Sequence, residues 1–562
     1  MKLLIRSRVH RVYSALKKSP KCWVYCLILT LAALIIVSGN SPREIYPVIA
    51  AFSVYLFSIG AIVFLTGRVI LALSISSLLV ILLQLTNQLK IHFYKDVLMF
   101  PDIFLMVDPA NAETLLHYPL AGLAALGMLL LLAITVVASW RAQPRTQGYR
   151  PFIYGIAVML LSAVSLVSCF SIYQKPWASM LPKGTGVLSN LVMSSTQIEY
   201  QSPQFSKESA AYFKEKATAL NQQSSKAGGT TTHPDIIVLL QESTVDPHLY
   251  HLTGSQKLPD LKMFEQTGNV KAHTPMRVQT FGGGTWLSEF ALLTGLRSDD
   301  FGAMKNSVFY SAVDHLNDSL FKQMKANGYY TVVLTPFNKS AYNAGHAYKQ
   351  MGVDKIIQPQ ELGYPGDLSE NLWHIKTADI LDDVKKILST ETDKPLFIYA
   401  LTMYEHGPYD SDHHDDYAPS SGAFSHYVEK ISTSDPAMED FFNFVDTRKK
   451  PTIFLHFGDH QPGINWNKGY STELPDPMYL TQFSLRDNSG SGPVSDLGRL
   501  TDIAFLGGMI LEQAGLDRSA FYQANIDMRH LCKGELNDCE DKKLVESYKN
   551  YIYDNLNIAS KP

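Results

Sequence analysis

Apolar residues are not spread evenly along this chain. They gather in five runs within its first third, at residues 22–38, 46–66, 69–85, 120–140 and 152–172. Each run is near the ~20 residues that a helix needs to cross a bilayer. From about Tyr173 to His233 the pattern turns polar, and residues 221–232, rich in Gly, Ser and Thr, have little to bury. That run reads as a flexible tether. Beyond it the apolar positions return as short runs with β-branched residues, at 235–240, 330–334, 396–401 and 452–457. Helical patterns at 319–327 and 378–388 lie between them. Continuous apolar runs are the mark of strands buried on both faces, and strands alternating with helices predict an α/β domain with a central, mostly parallel sheet. The organisation expected is a five-helix transmembrane unit (1–172), a linker (173–233), an α/β domain (234–531) and a C-terminal tail (532–562).

Charge orients the spans. Lys2, Arg6, Arg8, Arg11, Lys17, Lys18 and Lys21 precede the first run, and no acidic residue accompanies them. Alone, that run could be a signal peptide; four further runs make it an anchor. The positive-inside rule places this basic end in the cytoplasm, together with Arg68 and the loop of Arg141, Arg145 and Arg150. The loop from Lys90 to His117 carries Asp96, Asp102, Asp108 and Glu113 and belongs outside, its aromatic and acidic stretch 93–104 suiting a membrane interface. After an odd number of spans the α/β domain is also outside, on the periplasmic or extracytoplasmic face of a bacterial cytoplasmic (inner) membrane. A net charge of −3, with no basic block after the N-terminus, gives no sign of a nucleic-acid partner. Cys22, Cys26 and Cys169 sit in apolar stretches, while Cys532 and Cys539 lie close together in a polar one. The latter pair could close a small disulfide loop outside the cytoplasm.

In open α/β sheets the ligand site lies beyond the carboxyl ends of the strands. Here the candidate strands run into Gln241-Glu242-Ser243, Thr335-Pro336, Tyr404-Glu405-His406 and Gly458-Asp459-His460. A separate segment, Thr280-Phe281-Gly282-Gly283-Gly284-Thr285-Trp286-Leu287-Ser288-Glu289-Phe290, uses glycines to present Thr285 at the start of an apolar helix. Thr285 could serve there simply as an N-cap. With Glu242, Asp459 and His460 it also makes a hard oxygen and nitrogen ligand set suited to one divalent ion, Mn²⁺ or Zn²⁺, with Mg²⁺ possible. A divalent ion would lower the hydroxyl pKa, and the helix N-terminus would favour an incoming phosphate.

At these residues the chain resembles the sulfatase-like phospho-head-group transferases of the alkaline phosphatase superfamily, above all lipoteichoic acid synthases and phosphoglycerol transferases. The resemblance runs over about Pro234 to Leu516 and rests on the strand into Glu242-Ser243, the glycine-presented Thr285 and Phe457-Gly458-Asp459-His460. It implies a metal held by Glu242, Thr285, Asp459 and His460, and Thr285 as nucleophile towards a membrane phospholipid. A phospho-threonine intermediate then passes the head group to an envelope glycan or glycolipid. His406 matches a substrate-side histidine that contacts phosphate or relays a proton. Thr335, Tyr342 and Ala344 align with positions that hold glycerol phosphate in lipoteichoic acid synthases, but differ from them in residue type. Phosphoglycerol is the first expectation for the cargo. Phosphoethanolamine is the alternative, since His406-Gly407-Pro408-Tyr409 is similar to the segment in those transferases. A phosphate or sulfate ester hydrolase and a non-catalytic envelope module on the same scaffold stand as further readings.

Overall fold

The computed structural model describes residues 20–39, 45–107, 119–143, 149–172, 186–197, 199–223, 233–250, 257–390, 393–412, 422–464 and 472–560. The chain divides into two compact units, residues 1–106 with 112–199, and residues 107–111 with 200–562.

Among its described residues, the first unit contains five helices long and apolar enough to cross a membrane: Pro20–Ser38, Ile45–Thr66, Val69–His92, Gly122–Ala142 and Arg150–Ile172. Hydroxyl pairs join them, Tyr25 to Thr135 at 3.0 Å, Ser53 to Ser165 at 2.8 Å and Tyr55 to Ser77 at 2.7 Å. Such pairs satisfy polar groups that lipid cannot. The third helix continues to Tyr94, beyond the end of its apolar run. Its polar last turns are satisfied by the chain that folds back on them. Asn87 Oδ1 accepts the Leu98 N–H at 2.7 Å, and Lys90 Nζ donates to Asp102 at 2.7 Å and to the Val97 carbonyl at 2.9 Å. Part of the expected outer loop is therefore packed structure.

The linker and tail expected from polarity are also partly built into the units. Helix Val187–Ser194 buries Leu188, Val192 and Met193 among the spans. Helix Ala210–Gln223 belongs to the second unit, where the Phe213 ring meets Tyr548 of helix Lys542–Asn550. A few large side chains suffice to dock these helices, and that is invisible in average polarity. Cys532 and Cys539 form a disulfide. Residues 224–232, the most polar part of the tether, lie outside the described residues.

The second unit is built on one eight-stranded sheet. Its strands are β1 (Asp235–Gln241), β2 (Val270–Arg277), β3 (Tyr330–Leu334), β4 (Lys355–Ile357), β5 (Leu396–Leu401), β6 (Thr452–Gly458), β7 (Leu480–Asp487) and β8 (Thr501–Asp502). The order is β4-β3-β5-β1-β6-β7-β2-β8. All pairs from β4 to β6 are parallel, and β7 runs antiparallel to both β6 and β2. The four apolar runs read from the sequence are β3, β5, β1 and β6, the contiguous parallel centre. Every residue of β1, β5 and β6 is buried, as their unbroken apolar pattern requires of strands covered on both faces. Helix Leu320–Ala326 is capped by the Ser319 hydroxyl, which accepts the Lys322 N–H, and helix Thr377–Leu388 follows the second helical pattern. Because the central strands are parallel neighbours, their carboxyl ends deliver Thr335, His406, Glu242 and Asp459 along one edge.

Candidate active site at the carboxyl edge of the sheet

Register decides the first part of the site. β1 pairs with β6 so that Gln241 stands opposite Gly458, and the next residue on each strand is an acid, Glu242 and Asp459. The two chains approach closely here. A Cβ on Gly458 would lie 1.7 Å from the Thr244 carbonyl oxygen, so only glycine fits. Ser243, in a left-handed conformation, donates its N–H to Asp459 Oδ1 at 2.8 Å and its hydroxyl to Glu242 Oε1 at 2.8 Å. The Glu242 N–H donates to Thr402 Oγ1 at 3.1 Å, and that hydroxyl donates in turn to Glu405 at 2.9 Å. Glu405 also accepts from Gln241 Nε2, Thr377 Oγ1 and Ser434 Oγ at 2.6–2.8 Å. Four donors thus compensate one buried carboxylate between the backbones of Glu242 and His406.

The glycine turn supplies the second part. Gly282, Gly283 and Gly284 all have positive φ, and the helix Thr285–Thr294 starts immediately after them. Gly284 occupies the N-cap position and no side chain caps the helix, so Thr285 is not the cap. Its hydroxyl instead donates to Glu242 Oε2 at 3.1 Å. The turn is tied to the strand ends by the Gly282 N–H to the Gln461 carbonyl at 3.1 Å and by Ser288 Oγ to the Asp459 carbonyl at 2.5 Å.

The third part is His460. Its Nδ1 lies 2.9 Å from the Gln461 carbonyl, which can only accept, so Nδ1 carries the proton and Nε2 presents a lone pair. Nε2 points between Glu242 Oε1 and Asp459 Oδ2, each at 3.3 Å. All three side chains are buried, and their ligand atoms lie within 4.8 Å of one another. Among the described residues, His460 Nε2 and Asp459 Oδ2 have no hydrogen-bond partner. Burial and then the Glu242 charge hold the Asp459 carboxyl well above the usual carboxylate range. Two carboxylates at this separation repel by roughly 3 kcal/mol even at an effective dielectric of about 20. Three acceptors converging with no donor among them is an arrangement that a cation completes. The residues fit a divalent ion, with the Thr285 hydroxyl beside it as a fourth ligand atom.

The remaining expected residues fall around this cluster. His406 is half-buried beyond β5, and its Nδ1 faces the Gly407 carbonyl at 2.5 Å. Burial lowers its pKa, opposed by the Glu242 charge. Thr335 is buried, and its hydroxyl accepts the Phe337 N–H at 3.2 Å, which commits it to the turn after β3. Tyr342 is buried and stacks on Trp286 with ring centroids 5.6 Å apart. Ala344 is buried as well. Three residues at the site were given no role from the sequence: Glu289, which holds Tyr342; Trp286; and Trp373, whose ring meets His406 at 4.9 Å. The readable signal for Glu289 was a lone acid on an otherwise apolar helix.

The sulfatase family model matches residues 234–502, the stretch that carries every strand and every residue of the cluster. An uncharacterized protein of Haemophilus influenzae is 36% identical over 96% of this chain and 99% of its own length. Residues 234–502 form a sulfatase-family domain. A lipoteichoic acid synthase of Staphylococcus saprophyticus is 26% identical over 38% of this chain and 33% of that protein, so the match spans about a third of that relative. Among solved structures, a phosphoglycerol transferase of Streptococcus pyogenes in complex with sn-glycerol-1-phosphate is 17% identical with a TM-score of 0.49, covering 63% of this chain and 95% of that one.

Proposed function

We propose that this protein is a membrane-anchored, metal-dependent transferase that moves a phospholipid-derived head group, phosphoglycerol from phosphatidylglycerol first, onto an envelope glycan or glycolipid. One observation carries the reading. Glu242, Asp459 and His460 converge as buried acceptors, and the Thr285 hydroxyl stands 3.1 Å from the first of them.

Glu242, Thr285, Asp459 and His460 would hold one divalent ion, Mn²⁺, Zn²⁺ or Mg²⁺. Bound there, it would supply the positive charge that makes a threonine hydroxyl acidic enough to act at neutral pH and that offsets phosphate charge. The chain's own residues do the rest. Thr285 Oγ1 attacks the phosphorus of the diester, forming a Thr285 O–P bond as the P–O bond to diacylglycerol breaks. The proton that the Thr285 hydroxyl gives up passes to the leaving oxygen, and His406 is the candidate relay. An acceptor hydroxyl then attacks the same phosphorus, the Thr285 O–P bond breaks, and the hydroxyl is restored. The N-terminal turn of helix Thr285–Thr294 directs its free N–H groups towards phosphate oxygens.

The five apolar helices support a lipid donor, because a soluble substrate needs no membrane tether. The Cys532–Cys539 disulfide supports an oxidising, extracytoplasmic location for the second unit, as the charge distribution does. Phosphoethanolamine is the second reading, favoured by His406-Gly407-Pro408-Tyr409 at the strand end beside the cluster. Membranes containing phosphatidylglycerol and phosphatidylethanolamine, each labelled differently in the head group, separate the two. The label found on Thr285 by peptide mass spectrometry identifies the cargo. Absence of both labels, with diacylglycerol release also absent, would overturn the transferase reading.

A further inference from the structure

Glu289 is a fully buried carboxylate that the proposed chemistry leaves unused. It lies four residues after Thr285 on the same helix, and i and i+4 share a face. Its Oε1 accepts the Tyr342 hydroxyl at 3.1 Å, and its Oε2 accepts the Tyr348 hydroxyl. The Tyr399 hydroxyl, from β5, faces the same carboxyl without completing a hydrogen bond. Burial pushes the carboxyl up to about 7, the phenols oppose that, and the Glu242 charge adds to it.

Filling a core needs no acid, and an apolar side chain would pack here without the desolvation cost. What an apolar residue could not do is orient Tyr342. That residue and Asn343 are consecutive left-handed positions, φ 37° and 62°, in the segment after β3. Non-glycine residues are strained in that region and persist where their surroundings over-determine them. Here the determination is visible. The Tyr342 hydroxyl is held by Glu289, one face of its ring stacks on Trp286, and the Phe337 ring meets it edge-on at 5.5 Å. Trp286 is itself fixed by Nε1 donating to the Asn306 carbonyl at 2.8 Å. From Phe337 the row continues to Trp373 at 6.4 Å and on to His406 at 4.9 Å. An aromatic wall thus runs from the residue after the nucleophile to the half-buried histidine.

We propose that Glu289 is a positioning residue, which sets the donor-binding wall beside Thr285 by holding the Tyr342 ring against Trp286. This rests on the transferase reading for its substrate, a glycerophospholipid whose organic head group lies along the wall. The carboxylate does not touch that substrate. It acts through Tyr342.

The test uses the full-length protein in mixed micelles with phosphatidylglycerol, and in parallel with phosphatidylethanolamine, reading diacylglycerol release. Alongside, Trp286 emission is isolated as the difference between each protein and its Trp286→Phe counterpart. Glu289→Leu and Tyr342→Phe should each raise KM for the donor about tenfold with kcat changed less than about threefold, the pattern of lost ground-state binding. Both should shift Trp286 emission. Glu289→Gln keeps an acceptor oxygen for Tyr342 and should restore KM to within about threefold of the parent. Unchanged KM and emission in Tyr342→Phe would overturn the proposal, even where Glu289→Leu fails to fold. So would a loss of kcat and thermal stability in Glu289→Leu with emission unmoved. If the parent consumes neither lipid, the transferase reading fails while the emission shifts still decide whether Glu289 holds the wall.

Discussion

The Thr285 hydroxyl donates to Glu242 Oε2 across 3.1 Å, and the carboxylate's other oxygen faces His460 Nε2 at 3.3 Å. One acid therefore links the candidate nucleophile to the candidate cation site. Thr285→Ala removes the attacking oxygen while leaving the glycine turn and the helix intact. Turnover should fall by at least about 10³-fold, with the melting temperature little changed, because no other hydroxyl stands in its place. Thr285→Ser should keep measurable activity and still acquire the label.

The buried acceptors predict a stability that depends on metal. A ligand that binds only the folded state at about 100 times its dissociation constant adds about 2.7 kcal/mol. Thermal melts of chelated protein should rise on adding Mn²⁺ or Zn²⁺ and fall again with excess chelator. In Asp459→Asn or His460→Ala the rise should be much reduced. Equal metal responses in the parent and both variants would remove these residues from the ligand set.

Glu289 predicts a pH signature of its own. Its pKa rises from an ordinary 4.5 to about 7 in the folded protein, chiefly by burial, with Tyr342, Tyr348 and Tyr399 opposing and Glu242 adding to the rise. The folded state therefore binds this proton more tightly than the unfolded state does. Its contribution to stability is fully present below pH 4.5 and is lost as pH rises through about 7. The loss is of order 3 kcal/mol. Glu289→Gln cannot ionise, so it should gain stability relative to the parent between pH 5 and pH 8. Melting curves of both proteins at the two pH values read that difference.

Gly458 sits where β6 passes β1. Gly458→Ala would put a methyl group 1.7 Å from the Thr244 carbonyl oxygen, and neither is a flexible side-chain end. Separating the strands would also part Glu242 from Asp459. The variant should be destabilised by upwards of about 3 kcal/mol and should lose its metal response, as read by melting with and without Mn²⁺.

Cys532 and Cys539 enclose a short loop beside helix Lys542–Asn550. Their joint replacement by serine should cost about 2 kcal/mol on the chain-entropy account. In intact cells neither cysteine should react with a thiol label until a reductant is added. Labelling without reductant would argue against the extracytoplasmic placement.

Much of this was written in the one-dimensional pattern. Five long apolar runs specify five membrane-length helices, because no other element satisfies its backbone within a single segment in lipid. The four apolar runs at 235–240, 330–334, 396–401 and 452–457 became the parallel centre of the sheet, since only a strand covered on both faces needs no polar alternation. The glycine turn, with three positive φ values, was likewise legible, because side-chained residues resist that path.

The flanking strands were not. β2 and β7 contain Lys271, His273, Thr481 and Gln482, and pairing with one another, with β6 and with β8 gives those strands their place. The docked helices Val187–Ser194 and Lys542–Asn550 were hidden for a similar reason, since a few rings and aliphatic side chains anchor otherwise polar segments.

The sequence by itself determined which residue types reach the sheet edge: Glu242, His406, Asp459 and His460 after their strands, and Thr285 after its glycines. Tertiary structure alone decided that the Gln241–Gly458 register sets two acids side by side, that Gln461 turns His460 Nε2 inward, and that Tyr342 is held by Glu289 fifty-three positions away. Local propensity fixes what a segment can become. Distances between side chains remote in sequence are set only when the strands and helices that carry them pack.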